Sequence, residues 1–176
     1  MKATLFAAFV ALLMVGCGDE AQKKVVVQKW DEWEADPEPY GGPEVLAKIN
    51  EAKASGATKL QLGSNEITDV SPLEGLTNLE RLNLGYNQIT DISSLKGLTN
   101  LEKLGLWDNE ITDVSPLAGL TNLEELALHG NQITDVSPLA GLTKLHTLIL
   151  WDNPIPEDQK SMLKKALPKC DISFEL

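Results

Sequence analysis

Residues 79–100 read LERLNLGYNQITDISSLKGLTN, residues 101–122 read LEKLGLWDNEITDVSPLAGLTN, and residues 123–144 read LEELALHGNQITDVSPLAGLTK. Leu79, Leu82, Leu84, Asn87, Ile89, Asp91, Ile92, Leu95 and Leu98 thus return 22 residues later, and again after a further 22, with Val for Ile as the one exchange. A fixed period of this length predicts a solenoid, in which no unit can bury its apolar face alone and each does so by stacking on its neighbours. Such a chain works through the surface it displays, so a binding face is expected rather than a catalytic pocket.

Within one unit Leu82 and Leu84 alternate with Arg81, Asn83 and Gly85, so the leucines point inward from a short strand and the others outward. Asn87 and its equivalents stand where the strand must turn, and a buried amide there can satisfy backbone groups of its own and adjacent turns. Asp69-Val70-Ser71-Pro72 and its copies predict a short helical or 3₁₀ turn, with Asp or Ser as cap and Pro at the first helical position. Capping accounts for every member of the column Asp69, Asp91, Asp113 and Asp135, so no metal ladder is expected from it.

Working outward, the same columns can be followed to Leu60, Leu62 and Asn65 at one end and to Leu148, Leu150 and Asn153 at the other. The repeats are therefore placed at 57–156. Pro43, the stripe Val45, Leu46, Ile49 and Ala52, and Gly56 predict a cap helix over 43–56. Residues 157–176 predict a second cap helix, with Glu157 and Asp158 at its start and Lys164 and Lys165 at its end, followed by a terminal strand. Leu167, Cys170 and Ile172 fall 22 residues after Leu145, Leu148 and Leu150, which predicts Cys170 in a core leucine column.

The N-terminus reads differently. Lys2 precedes an apolar run, Ala3 to Val15, that is too short to span a membrane and reads as a secretory signal. Met14-Val15-Gly16-Cys17 resembles the bacterial lipobox, with Met14 where Leu is usual. That resemblance implies a signal peptide at 1–16 and lipidation of Cys17. Residues 17–42 carry no period and contain Pro37, Pro39 and Gly41-Gly42-Pro43; they predict a flexible tether, in which Trp30 and Trp33 are unusual. Cleavage before Cys17 would take the formal net charge from −11 to −12, which argues against nucleic acid or an anionic membrane surface as partner.

The pattern L-x-x-L-x-L-x-x-N-x-I-x-D-V/I-x-x-L-x-x-L resembles the leucine-rich repeat in its 22-residue form, and is similar to the internalin repeat of bacterial surface proteins. The resemblance implies an α/β solenoid: a parallel concave sheet, short 3₁₀ or helical convex turns and helical caps at both ends. It also implies a non-catalytic binding protein, whose partner is set by outward columns that vary. Here those columns are Lys59, Arg81, Lys103, Glu125, Thr147; then Gln61, Asn83, Gly105, Ala127, Ile149; then Gly63, Gly85, Trp107, His129, Trp151. The basic and polar residues gather toward the first repeats and the aromatic and apolar ones toward the last.

The expected partner-binding residues are Trp107, His129, Trp151 and Ile149, with Lys59, Arg81 and Lys103 steering and Tyr86 at the rim. The expected function is an extracytoplasmic cell-envelope lipoprotein, outer membrane favoured where the cell has one, that binds a protein or peptide on its concave face. A glycan- or peptidoglycan-binding module and a structural docking subunit of an envelope assembly are the alternatives. The chain is expected to act as a monomer, to touch membrane only through its lipid, and to use no cofactor or metal. No nucleophile or carboxylate is spaced to work with His129 or His146, and no Gly-rich phosphate loop is present.

Overall fold

The computed structural model describes residues 35–175. The expectations placed on the signal peptide, on Cys17 and on most of the tether, including Trp30 and Trp33, lie outside the described residues. From Pro37 onward the chain forms one unit. Its elements are a 3₁₀ turn at Glu38–Tyr40, helix α1 at Gly42–Ser55 and strands β1 (Lys59–Gln61), β2 (Arg81–Asn83), β3 (Lys103–Gly105), β4 (Glu125–Ala127) and β5 (Thr147–Ile149). Helix α2 (Glu157–Ala166) and strand β6 (Asp171–Ser173) complete it.

The six strands make one open parallel sheet in chain order. Lys59 lies opposite Arg81, Arg81 opposite Lys103, Lys103 opposite Glu125 and Glu125 opposite Thr147, so each step is one repeat. Opposite the sheet run 3₁₀ turns at Ser71–Leu73, Ser93–Gly97, Ser115–Leu117 and Ser137–Gly141. This is the solenoid that the period predicts, in the α/β form that the resemblance implies. Leu82, Leu104, Leu126 and Leu148 point between sheet and turns, with Leu84, Leu106, Leu128 and Leu150 beside them, all buried. Truncating such a leucine to alanine costs about 2–5 kcal/mol, and each repeat carries several.

The asparagine column is the second element of the core. Asn109 Nδ2 donates to the carbonyl of Leu84 in the preceding turn (3.0 Å) and of Leu106 in its own (3.0 Å), while Oδ1 accepts from the Ile89 N–H (3.0 Å). Asn131 repeats this with Leu106, Leu128 and Ile111. Asn87 does the same with Leu62, Leu84 and Ile67, and accepts also from the Asn65 N–H. Each buried amide therefore ties two consecutive turns together at backbone groups that would otherwise lack partners.

The aspartates cap from further upstream than expected. The residue flanking each 3₁₀ turn is Val70, Ile92, Val114 or Val136, which makes no side-chain cap bond. The carboxylates of Asp69, Asp91, Asp113 and Asp135 instead accept from the N–H groups of Ser71, Ser93, Ser115 and Ser137, two residues on, at 2.7–2.8 Å. The apolar side chain at the turn junction is thereby left free to enter the core. Hydrogen bonds from Ser137 hold the Asp135 carboxyl below the usual carboxylate range.

Both ends depart from the repeat for physical reasons. At the front, the last residues assigned to the tether are ordered: the Pro39 carbonyl accepts from Thr68 N–H (2.8 Å), Asp69 N–H (2.9 Å) and Thr68 Oγ1 (3.1 Å). Gly41, in the left-handed region (φ 85°), lies so close that a Cβ would sit 2.7 Å from the Asn65 carbonyl. Helix α1 then covers the core with Val45, Leu46, Ile49 and Ala52 and stops at Gly56, whose N–H reaches the Ala52 carbonyl.

At the rear, Leu148 pairs with Ile172 rather than Cys170, and Ile149 with Ser173. Cys170 therefore does not take the leucine column. A full α-helix needs two more residues than a 3₁₀ turn to recross the core, and the register moves by those two. Cys170 sits half-buried before the strand, with burial, and secondarily the Asp171 carboxylate, pushing its thiol up.

Asn109→Ala is expected to destabilise by about 1–3 kcal/mol for each backbone group left unpaired, whereas Asn65→Ala should cost less. Asn65 is half-buried, and its amide donates only to the Gly63 carbonyl. Urea unfolding of the two variants checks this, and equal losses would contradict the ladder as an inter-repeat tie.

Candidate binding face

Because strand side chains alternate, every repeat sends its first and third strand residues to the concave side. The observed register extends the first row to Lys59, Arg81, Lys103, Glu125, Thr147 and Asp171, and the second to Gln61, Asn83, Gly105, Ala127, Ile149 and Ser173. Asp171 and Ser173 were missed in the sequence because they are displaced from the period by the α2 register change. A groove of about 240 Å³ runs over the middle of this face, lined among others by Arg81, Lys103, Trp107, Glu125, Thr147 and Ile149. Its floor is the small-residue part of the second row, Gly105 and Ala127.

The aromatic residues form one continuous stack. Trp107 and His129 are nearly coplanar in orientation (7°) with centroids 5.9 Å apart, and His129 and Trp151 stack at 4.1 Å. Tyr86, 60% exposed, meets the Trp107 ring edge-on at 6.3 Å. The expected residues Tyr86, Trp107, His129 and Trp151 are thus brought together, and Ile149 joins Trp107 in the groove wall.

Trp107 does not stand off the sheet. A Cβ built on Gly85 or on Gly105 would run into its indole ring, so the ring fills the space above both glycines, a face toward Gly85 and an edge toward Gly105. Glycine in those two places is what makes room for it. A tryptophan two residues beyond one glycine, with a second glycine one repeat earlier in its own column, was the available signal.

The position after each third-column residue has a constraint that the letters hide. Ser64, Tyr86, Asp108, Gly130 and Asp152 all take the left-handed backbone conformation, with φ between 50° and 66°. This turns the chain from the strand toward the buried asparagine, so the side chains there stand at the rim. Only one of the five is glycine, which is why the rule is hard to read from sequence. At Gly130 the Asp108 carboxylate occupies the space that a Cβ would need.

Charge is distributed unevenly. Lys103 forms an ion pair with Glu125 at 2.5 Å. Lys59 and Arg81 are exposed and have no side-chain partner among the described residues. Burial lowers the His129 imidazole below its ordinary value of 6.5, against the opposing pull of the Asp108 and Asp152 carboxylates, and its Nδ1 is buried with no hydrogen-bond partner. Among the described residues no group of three or more His, Cys, Asp or Glu side chains could hold a metal ion, and no helix is long and apolar enough to cross a membrane.

The family described as leucine rich repeats (2 copies) matches residues 58–97, 99–141 and 121–165. The chain is a leucine-rich repeat protein. Among solved structures it is similar to internalin C2 from Listeria monocytogenes, at 40% identity and a TM-score of 0.66 over 72% of this chain and 55% of that one. It is similar also to a second Listeria monocytogenes internalin, at 38% identity and 0.65 over 71% and 36%. A leucine-rich repeat protein from Leptospira interrogans aligns at 26% identity and 0.58, over 72% and 39%. The leucine-rich repeat chain thus spans about half or less of the length of these structures. Comparison with curated proteins gave no match.

Two outcomes are expected of this face. Gly105→Ser should lift the Trp107 indole off the sheet and move its side-chain NMR signals, while the stability of the solenoid changes little. An unmoved Trp107 signal would contradict the cradle. Since His129 takes up its proton at lower pH when folded than when unfolded, the unfolded state binds more protons as pH falls below about 6.5. Stability should therefore decline through that range toward the folded midpoint, and His129→Phe should remove that part of the decline in urea titrations at stepped pH.

Proposed function

We propose that this leucine-rich repeat protein is a non-catalytic, lipid-anchored component of a bacterial cell envelope that captures a protein or peptide partner on its concave face. The observation that carries the reading is the Tyr86–Trp107–His129–Trp151 stack, contiguous with a groove and held by the backbone rather than by a core. Tryptophan and tyrosine supply much of the energy of protein interfaces because they bury large area at small conformational cost. Trp107 is also pre-ordered on Gly85 and Gly105, so little freedom remains to be lost on binding.

The similarity to internalins supports a binding solenoid. The anchor rests on Met14-Val15-Gly16-Cys17, which gives the envelope location and membrane contact through lipid alone. A glycan is the second reading, because an aromatic row with Tyr86 exposed at its end also offers ring surface to a sugar.

The test is photo-crosslinking in cells of the source type, with a benzophenone side chain at Ala127 in the groove or at Lys96 on the convex turns. A discrete protein adduct is expected only from Ala127. Trp107→Ala with Trp151→Ala should abolish it, each substitution weakening the partner by about 2 kcal/mol or more, roughly 30-fold. Adducts from Lys96 alone would move the function to the convex side.

A further inference from the structure

The concave face has a size and a polarity that together define what fits it. Six strands at about 4.8 Å spacing, each three residues long, make a face of roughly 25 by 10 Å. One extended segment lying across the strands can follow the rows from β1 to β6.

Along that direction the charge changes sign. Lys59 and Arg81 at the first repeats are exposed and have no side-chain partner among the described residues. Lys103 is neutralised by Glu125 at the midpoint. Asp171 closes the row at β6, and Asp152 stands at the rim one repeat before it. Trp107 shares the repeat of Lys103 and Ala127 the strand of Glu125, so the apolar residue of the groove past the ion pair is Ile149 on β5. Among the described residues the cations of the concave rows without a side-chain partner therefore sit at one end, on a chain of formal net charge −11.

We propose that the face takes an extended peptide with an acidic residue over Lys59 and Arg81 and a large apolar residue four or five positions away against Ile149, the chain between them passing Trp107. The spacing follows from geometry. From β2 to β5 is three strand steps, about 14 Å, which an extended chain covers in about four residues at roughly 3.3 Å each. The polarity follows from charge, because an acid placed at the other end would meet Asp171 and Asp152. This rests on the concave face being the binding face and adds the chemistry and direction of the partner.

The experiment selects twelve-residue peptides from a random displayed library against the full chain and against its Lys59→Glu, Arg81→Glu double variant. Both changes are on exposed side chains and leave the core untouched. The expected result is a consensus of Asp or Glu followed four or five positions later by a large aliphatic or aromatic residue. A labelled peptide of that consensus should bind the double variant at least tenfold more weakly by fluorescence anisotropy, and the variant should select Lys or Arg in place of the acid. A consensus without an acid, or one unchanged by charge reversal, overturns the proposal.

The concave-face reading can fail separately. If selected peptides ignore both the charge reversal and Trp107→Ala with Trp151→Ala, that reading falls too. If they respond to the tryptophans alone, it stands and only the acidic chemistry is lost. No enrichment at all overturns the peptide, and Trp107-dependent retention on a glycan array would then assign the face to sugar.

Discussion

The buried asparagine amide is the bond on which the remaining geometry depends. A strand of three residues cannot hold its neighbour by sheet hydrogen bonds alone, and a left-handed turn straight after it leaves carbonyls pointing into the core. Asn87, Asn109, Asn131 and Asn153 each donate to two such carbonyls, one in their own turn and one in the turn before. The spacing of the strands and the direction in which the chain leaves them are set by one side chain per repeat. Everything at the concave rim, including Tyr86, Asp108 and Asp152, stands where it does because it immediately precedes that asparagine.

This division of labour explains why core and surface could be read separately. The inward columns are nearly invariant between repeats because each must fill the same slot against identical neighbours. Outward residues contact solvent or one another, so the repeat can fail there without disturbing the solenoid. Trp107 replaces the glycine of two earlier repeats, and Ile149 replaces Gln61, while Leu104 and Leu148 remain leucine.

The fold was legible in the sequence for the same reason: period, parity and turn chemistry all agree over the repeats. Two places escaped. Pro39 and Gly41 lie in a stretch without period, and nothing in their letters says that a proline carbonyl will accept three hydrogen bonds from the first repeat. Cys170 was misplaced because counting by 22 assumes a 3₁₀ turn, whereas α2 is a full helix. At the site, the outward columns could be assigned by parity, but not the pairing of Lys103 with Glu125, which consumes a cation that the sequence offers as free. Nor did the column of left-handed residues announce itself, since four of its five members carry side chains.

The cradle under Trp107 is the exception to the separation of core from surface. Gly85 and Gly105 bury nothing and cap nothing; their lack of a side chain serves the ring above them. A strand glycine ordinarily weakens a sheet by conformational entropy and lost packing, and here that cost sits on the face where aromatic residues gather. The fold tolerates it because β2 and β3 are internal strands, paired on both sides and tied by Asn87 and Asn109. The same glycines at β1 or β6, where pairing is one-sided, would weaken an end of the sheet. The position of the aromatic stack within the solenoid is thus constrained by stability: a ring that rests on glycine belongs in the interior repeats, with Lys59 and Arg81 left toward the end that α1 already covers.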